Sequence, residues 1–177
     1  MNDIILTGPK HSGKTSAGKA LAELNACDFI DLDEHIIQIT GKTPRQLYTE
    51  SPALFQKAEV EAFSAISFTE NNQRIIAAGG GIIDNPEALA ALKRLQSAKT
   101  AIVVCLNISA EKTWQRITNS AGRELPPFLQ TENPQQTHRA LHERRAAAYL
   151  QLADIVIEAD GKLPEQIAAE IQSMCLT

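Results

Sequence analysis

Short apolar blocks of strand length alternate along the chain with longer stretches in which apolar residues recur every three or four positions. The blocks at 3–7, 29–32, 74–78, 100–107 and 154–158 predict five strands. Two of them, Ile75-Ile76-Ala77-Ala78 and Ala101-Ile102-Val103-Val104-Cys105-Leu106, are continuous apolar runs, the mark of strands buried on both faces. Helical periodicity predicts helices over 13–24, 52–69, 86–96, 110–117, 137–152 and 164–174, with Pro52, Pro86 and Pro164 at first turns, where a missing N–H costs nothing. Strand and helix in alternation predict an α/β fold whose parallel strands are joined by right-handed crossovers. The stretch 118–136 breaks the rhythm with Asn119, Gly122, Pro126, Pro127 and Pro134. It predicts a long loop, of a length that compact domains keep for lids and binding loops.

Composition narrows the class. With 177 residues, 44% of them hydrophobic and 21% charged, the chain can bury a core and is expected to form one domain over 1–177. No apolar run approaches the roughly 18 residues of a membrane helix, and the N-terminal apolar stretch 4–6 is too short for a secretion signal. Cys27, Cys105 and Cys175 are odd in number and form no C-x-x-C pair, which speaks against a disulfide framework or structural zinc. The cytoplasm is the expected compartment. A net charge of −4 disfavours nucleic acid and anionic membrane as partners, since both need basic surface. The expectation is a monomer working on small molecules.

Gly8-Pro9-Lys10-His11-Ser12-Gly13-Lys14-Thr15 matches G-x-x-x-x-G-K-[ST], directly after the first predicted strand and at the mouth of the first helix. Such a loop curls so that successive N–H groups point at phosphate oxygens, with Gly8, Ser12, Gly13 and Ser16 in the cradle. Lys14 supplies charge for the β and γ phosphates, and Thr15 offers a hydroxyl to magnesium. Asp31 and Asp33 close the second predicted strand, where a separation of two puts both carboxylates on one face, one for metal and one for substrate. Asp33 also fits as the N-cap of a helix over 34–39. Gly79, Gly80 and Gly81 end the third strand, either as a plain turn or where backbone approaches a ligand closely. In an open parallel sheet the ligands sit beyond the carboxyl ends of the strands, so these three segments converge.

The P-loop, Phe29-x-Asp31-x-Asp33, the glycine triplet, Arg123 in the long loop, and Glu143-Arg144-Arg145 leading to Tyr149 occur here in the order found in the shikimate kinases. The chain resembles that family, small phosphotransferases of the nucleoside monophosphate kinase-like group, over nearly its whole length. The resemblance implies a P-loop three-layer sandwich with five parallel strands in the order 2-3-1-4-5, a lid at about 118–136, ATP as donor and the 3-hydroxyl of shikimate as acceptor. It also implies that Thr15 and Asp31 hold Mg2+, that Asp33 binds the acceptor hydroxyls and takes the proton, and that Gly79, Gly80 and Gly81 line the same pocket. Arg145 would contact the substrate carboxylate, Arg123 would reach the transferred phosphoryl, and Arg116 and Pro164 would bracket adenine.

One departure bears on the acceptor. The family's Phe-Arg-x-x-Glu reads Phe55-Gln56-Lys57-Ala58-Glu59, so a neutral amide stands where an arginine would clamp the acid, and Glu59 lacks the partner it would orient. Gln56 and Glu59 are therefore expected at the substrate, with weaker hold on its carboxylate. Two alternatives stay open: a kinase of the same build for a sugar acid or a nucleotide, and a nucleotide-binding regulatory protein with weak catalysis, because a P-loop reports binding rather than turnover.

Overall fold

The most apolar runs become the middle of the sheet. In the computed structural model, which describes residues 2–66, 68, 73–119 and 125–175, the elements in chain order are β1 (Asp3–Thr7), α1 (Lys14–Asn25), β2 (Asp28–Asp31), α2 (Leu32–Thr40), α3 (Pro44–Glu50), α4 (Pro52–Ala65), β3 (Arg74–Ala77), α5 (Pro86–Ser97), β4 (Ala101–Asn107), α6 (Ala110–Thr118), α7 (Pro134–Leu152), β5 (Ile155–Glu158) and α8 (Pro164–Cys175). The strands are parallel and run β2-β3-β1-β4-β5, with Ile5 aligned to Ile76 on one side and to Val103 on the other. Among the described residues no helix is long and apolar enough to cross a membrane.

Every residue of β1 is buried, and the period of two divides its side chains between two cores. Ile5, Ile76 and Val103 point to the face covered by α2, α4 and α5, where Ile36, Phe63 and Leu92 pack. Ile4, Leu6, Ile75 and Val104 point to the opposite face, against Ala17 and Leu21 of α1 and Ile167 and Ile171 of α8.

Predicted and observed strands agree to within one residue at each end. The helices differ more. α2 was expected only in the alternative, as a helix over 34–39, and α3 was not expected: it has seven residues, too few for periodicity to show, although Thr43, Pro44 and Gln46 build a complete capping box with proline at its first turn. α2 corrects the reading of the two aspartates. The cap is Asp31, whose Oδ1 accepts from the backbone N–H of Asp33 at 3.0 Å and of Glu34 at 3.4 Å, and Asp33 lies inside the helix. The two carboxylates therefore do not share a strand face, since β2 stops at Asp31. The loop expected over 118–136 is shortened at its far end, where α7 begins at Pro134, and contains a 3-10 turn at Pro127–Leu129. Arg123 lies outside the described residues, as does the adjoining part of the expected lid.

At the amino ends of the strands a buried ion pair ties β1 to β3. Asp3, 2% exposed, accepts from the Arg74 backbone N–H at 2.8 Å and from its Nε and Nη2 at 3.2 and 2.9 Å. Removing one member of a buried pair leaves the other charge desolvated, which costs about 3 kcal/mol. Asp3→Ala is therefore expected to lower stability by about that amount in equilibrium urea unfolding. The loop at 8–15, at the other end of the sheet, is expected to be unaffected.

Candidate active site

Beyond the carboxyl ends of β1, β2 and β3 opens a cavity of about 1120 Å3, lined on one side by the P-loop and on the other by Asp33, Gly79, Gly80, Gly81 and Arg145. A single small-molecule pocket holds about 300 to 1000 Å3, so this one has room for a donor and an acceptor together. The P-loop follows β1 without a break, and Gly8, His11 and Gly13 take positive φ of 131°, 63° and 103°. Lys14 folds back over its own loop: Nζ donates to Gly8 O at 2.9 Å, Pro9 O at 2.8 Å and Ser12 Oγ at 3.4 Å. Burial pulls its pKa down to about 8 against the opposing pull of Asp33 and Asp31. Its charge is thus held in a place that costs free energy to occupy, as expected for a group kept for an anionic ligand. Arg116 and Pro164 both line the cavity, and Arg116 Nη1 donates to His11 O at 2.8 Å.

Thr15 and Asp31 meet, with Thr15 Oγ1 donating to Asp31 Oδ2 at 2.7 Å. Two hard oxygens side by side next to a phosphate cradle suit Mg2+, which takes few ligands from protein and the rest from phosphates and water. Asp33 faces the open cavity, yet protein surrounds it closely enough that desolvation, and then Asp31, raise its pKa while Lys10 and Lys14 lower it. A carboxylate poised above its usual range is suited to receiving a proton.

The glycine triplet serves the protein's own contacts. A Cβ at Gly80 would stand 2.8 Å from the Lys10 backbone N, so only glycine lets this turn lie against the P-loop. From the other side the Gly80 carbonyl accepts from Tyr149 Oη at 2.6 Å and Arg145 Nη1 at 2.9 Å. At Gly79 a Cβ would meet Glu59 Oε1 at 2.7 Å and Asp33 Oδ1 at 3.7 Å. Glu59 itself is 1% exposed; its Oε2 accepts from Asn85 Nδ2 at 2.9 Å, and its Oε1 has no hydrogen-bond partner among the described residues. Burial pushes this carboxyl up to about 7, helped by Asp33 and opposed by the Asn85 hydrogen bond and Arg145.

Gly8, Gln56 and Glu59 are not among the residues that line the cavity. Gln56 Nε2 donates to the Asp84 backbone carbonyl at 3.2 Å, and the Gln56 backbone carbonyl accepts from Asn85 Nδ2 at 2.9 Å. Gln56 thus fastens α4 to the 3-10 turn Ile82–Asp84. Two residues to which the sequence assigned no role belong to the site: Asp84 and Arg144 both line the cavity and bind each other, and Asp84 also binds Arg145. Nothing local marks Asp84, which meets α7 only through the fold. His138 and His142, four apart on α7, are engaged separately, His138 Nε2 with Thr113 Oγ1 at 3.2 Å and His142 Nε2 donating to Ile108 O at 2.9 Å.

A parallel sheet with a P-loop at its switch point, a buried lysine in that loop and a carboxylate across one shared cavity define a P-loop phosphotransferase acting on a small molecule. The family model for shikimate kinase matches residues 10–176, and the chain belongs to the shikimate kinase family. It is 32% identical to the shikimate kinase of Thermodesulfovibrio yellowstonii over 172 residues, which are 97% of this chain and 93% of that one. The shikimate kinase of Aromatoleum aromaticum is 30% identical over 175 residues, with 96% and 94% covered. Among solved structures, a shikimate kinase from Acinetobacter baumannii in complex with shikimate superposes with a TM-score of 0.86 at 31% identity, covering 99% of this chain and 93% of that one.

Glu59 gives this site a signature in stability. Folded, its carboxyl titrates at about 7, against an ordinary 4.5, so between these values the folded chain binds one proton more than the unfolded chain. Stability from this group is complete below the lower value and lost as pH rises through the upper one, a fall of about 3 kcal/mol. Glu59→Gln is expected to abolish that fall, which urea unfolding at pH 5 and pH 8 measures directly; a parent and variant with parallel pH profiles would contradict it.

Proposed function

We propose that the chain transfers the γ-phosphoryl group of ATP to the 3-hydroxyl of shikimate, as a monomer in the cytoplasm, with 1–177 as one catalytic unit. The observation that carries this reading is the shared cavity, in which Lys14 of the P-loop and Asp33 face each other in a chain of the shikimate kinase family. The shikimate bound to the Acinetobacter baumannii relative supports the choice of acceptor.

In this reading the backbone N–H groups of Ser12, Gly13 and Ser16 cradle the phosphates, Gly8 sets the curl of the loop behind them, and Arg116 and Pro164 flank the adenine. Mg2+ would be held by Thr15 and Asp31, and when bound it offsets charge on the phosphate oxygens. Lys14 leaves its loop carbonyls for the β and γ oxygens, where its charge counters the charge of the departing ADP. Asp33 accepts a hydrogen bond from the 3-hydroxyl, orients its oxygen in line with the γ phosphorus and takes its proton as the new P–O bond forms and the bond to ADP breaks. Gly79, Gly80 and Gly81 shape the acceptor floor. Arg123 completes the charge balance over the γ phosphoryl, in the role that the resemblance gives it.

Lys14→Met keeps the stem and removes the charge. Shikimate-dependent ADP formation is expected to fall roughly a hundredfold or more, and a cooperative unfolding transition is retained because the buried charge did not favour folding. A panel of acceptors tests the substrate. Shikimate should stimulate ADP formation, whereas a sugar acid and a nucleoside monophosphate should not; stimulation by either of those alone would reassign the enzyme.

A further inference from the structure

Arg144 and Arg145 are neighbours on α7, and successive side chains on a helix diverge by about 100°. Both nonetheless converge on one carboxylate. Arg144 binds Asp84 end-on, Nη1 to Oδ1 at 2.8 Å and Nη2 to Oδ2 at 2.7 Å. Arg145 binds it along its edge, Nε and Nη2 to Oδ2 at 2.8 and 2.6 Å, and spends Nη1 on the Gly80 carbonyl. Two guanidinium groups gripping a single carboxylate is the geometry of a carboxylate receptor, and its occupant here is part of the chain.

The occupant is firmly mounted. The backbone N–H of Asp84 donates to Gly81 O at 2.8 Å, its carbonyl is held by Gln56, and the next residue, Asn85, is bonded to Gln56 O and Glu59 Oε2. The turn cannot drift away, so Asp84 can vacate the seat only by rotating its side chain. Partial burial pushes its carboxyl up, but the hydrogen bonds from both arginines more than reverse this and hold it below the usual range, so it stays charged near neutral pH. All three residues line the cavity that also holds Lys14 and Asp33.

We propose that Asp84 determines the acceptor specificity of this enzyme, because its carboxylate fills the seat between Arg144 and Arg145 that the carboxylate of an acid acceptor must take. The inference rests on the function proposed above. An acid acceptor binds only the fraction of molecules in which Asp84 has turned out, and its apparent affinity falls by that fraction. The parent enzyme therefore draws little advantage from the acceptor's charge. Gln56, neutral and turned to the Asp84 backbone, adds no guanidinium to offset the loss.

The experiment compares shikimate with its uncharged primary carboxamide by titration calorimetry, on the parent and on Asp84→Asn. Asparagine preserves shape and one accepting oxygen while removing the competing charge. The parent is expected to bind acid and carboxamide with similar affinity. Asp84→Asn is expected to bind shikimate roughly ten- to a hundredfold more tightly, the factor of one charge-assisted hydrogen bond, with carboxamide affinity and the KM for ATP unchanged. Shikimate binding that is unchanged or weaker in Asp84→Asn would overturn the proposal, leaving Asp84 as a brace for the two arginines. A parent that already prefers the acid over the carboxamide a hundredfold would overturn it without any variant. If neither protein binds shikimate while both bind ATP, the proposed function falls, and this inference with it.

Discussion

The contact on which the site depends is the backbone approach of Gly80 to Lys10. It joins a turn at the end of β3 to the phosphate loop at the end of β1 at a separation that no Cβ could enter. The same peptide is clamped from behind by Tyr149 and Arg145, so that β3, the P-loop and α7 meet around one residue without a side chain. Burial keeps the Tyr149 phenol un-ionised, which preserves it as a donor to that carbonyl. A donor loop and an acceptor floor fixed at this distance leave the cavity as the only freedom, and in-line transfer needs that fixed distance.

Around this contact the charges are arranged under tension. Lys14 sits where burial disfavours its charge, while Asp33 and Glu59 sit where burial disfavours theirs. Lys14 and Asp33 stabilise each other in part, Glu59 is relieved only by Asn85 and Arg145 and is opposed by Asp33, and Asp84 is the carboxylate whose arginines more than offset its burial. A substrate that brings phosphates to Lys14 and hydroxyls to Asp33 would satisfy groups that the chain alone leaves partly unsatisfied, which is the usual relation between strain at a site and its use.

The parts of the fold and site legible in the sequence were those written in consecutive residues. Gly8 to Thr15 is a contiguous pattern, and the runs 75–78 and 101–106 are apolar without interruption, so β1, β3, β4 and the cradle could be placed before any contact was known. Asp31 and Asp33 were found but their local geometry was not, because which of two aspartates caps α2, and whether both lie on one strand face, depends on where β2 stops. Gln56 was expected at the acceptor from the resemblance to Phe-Arg-x-x-Glu, and that pattern names a motif position but not a neighbour; its amide donates to the Asp84 backbone, 28 residues away. Asp84 left no trace at all. It matters through two arginines 60 and 61 residues further on, and such a pairing exists only after β4, α6 and α7 have been laid down.

The division of the interior into two cores has a consequence for how such an enzyme can change over generations. α1, which carries Lys14 and Thr15, and α8, which begins at Pro164, rest on one face of the sheet, while α2, α4 and the turn bearing Asp84 rest on the other. In the function proposed above, nucleotide handling and acceptor choice would thus have largely separate foundations divided by the sheet. Drift in the packing beneath one can accumulate while the other is held, so a lineage can explore new acceptors without renegotiating its hold on ATP.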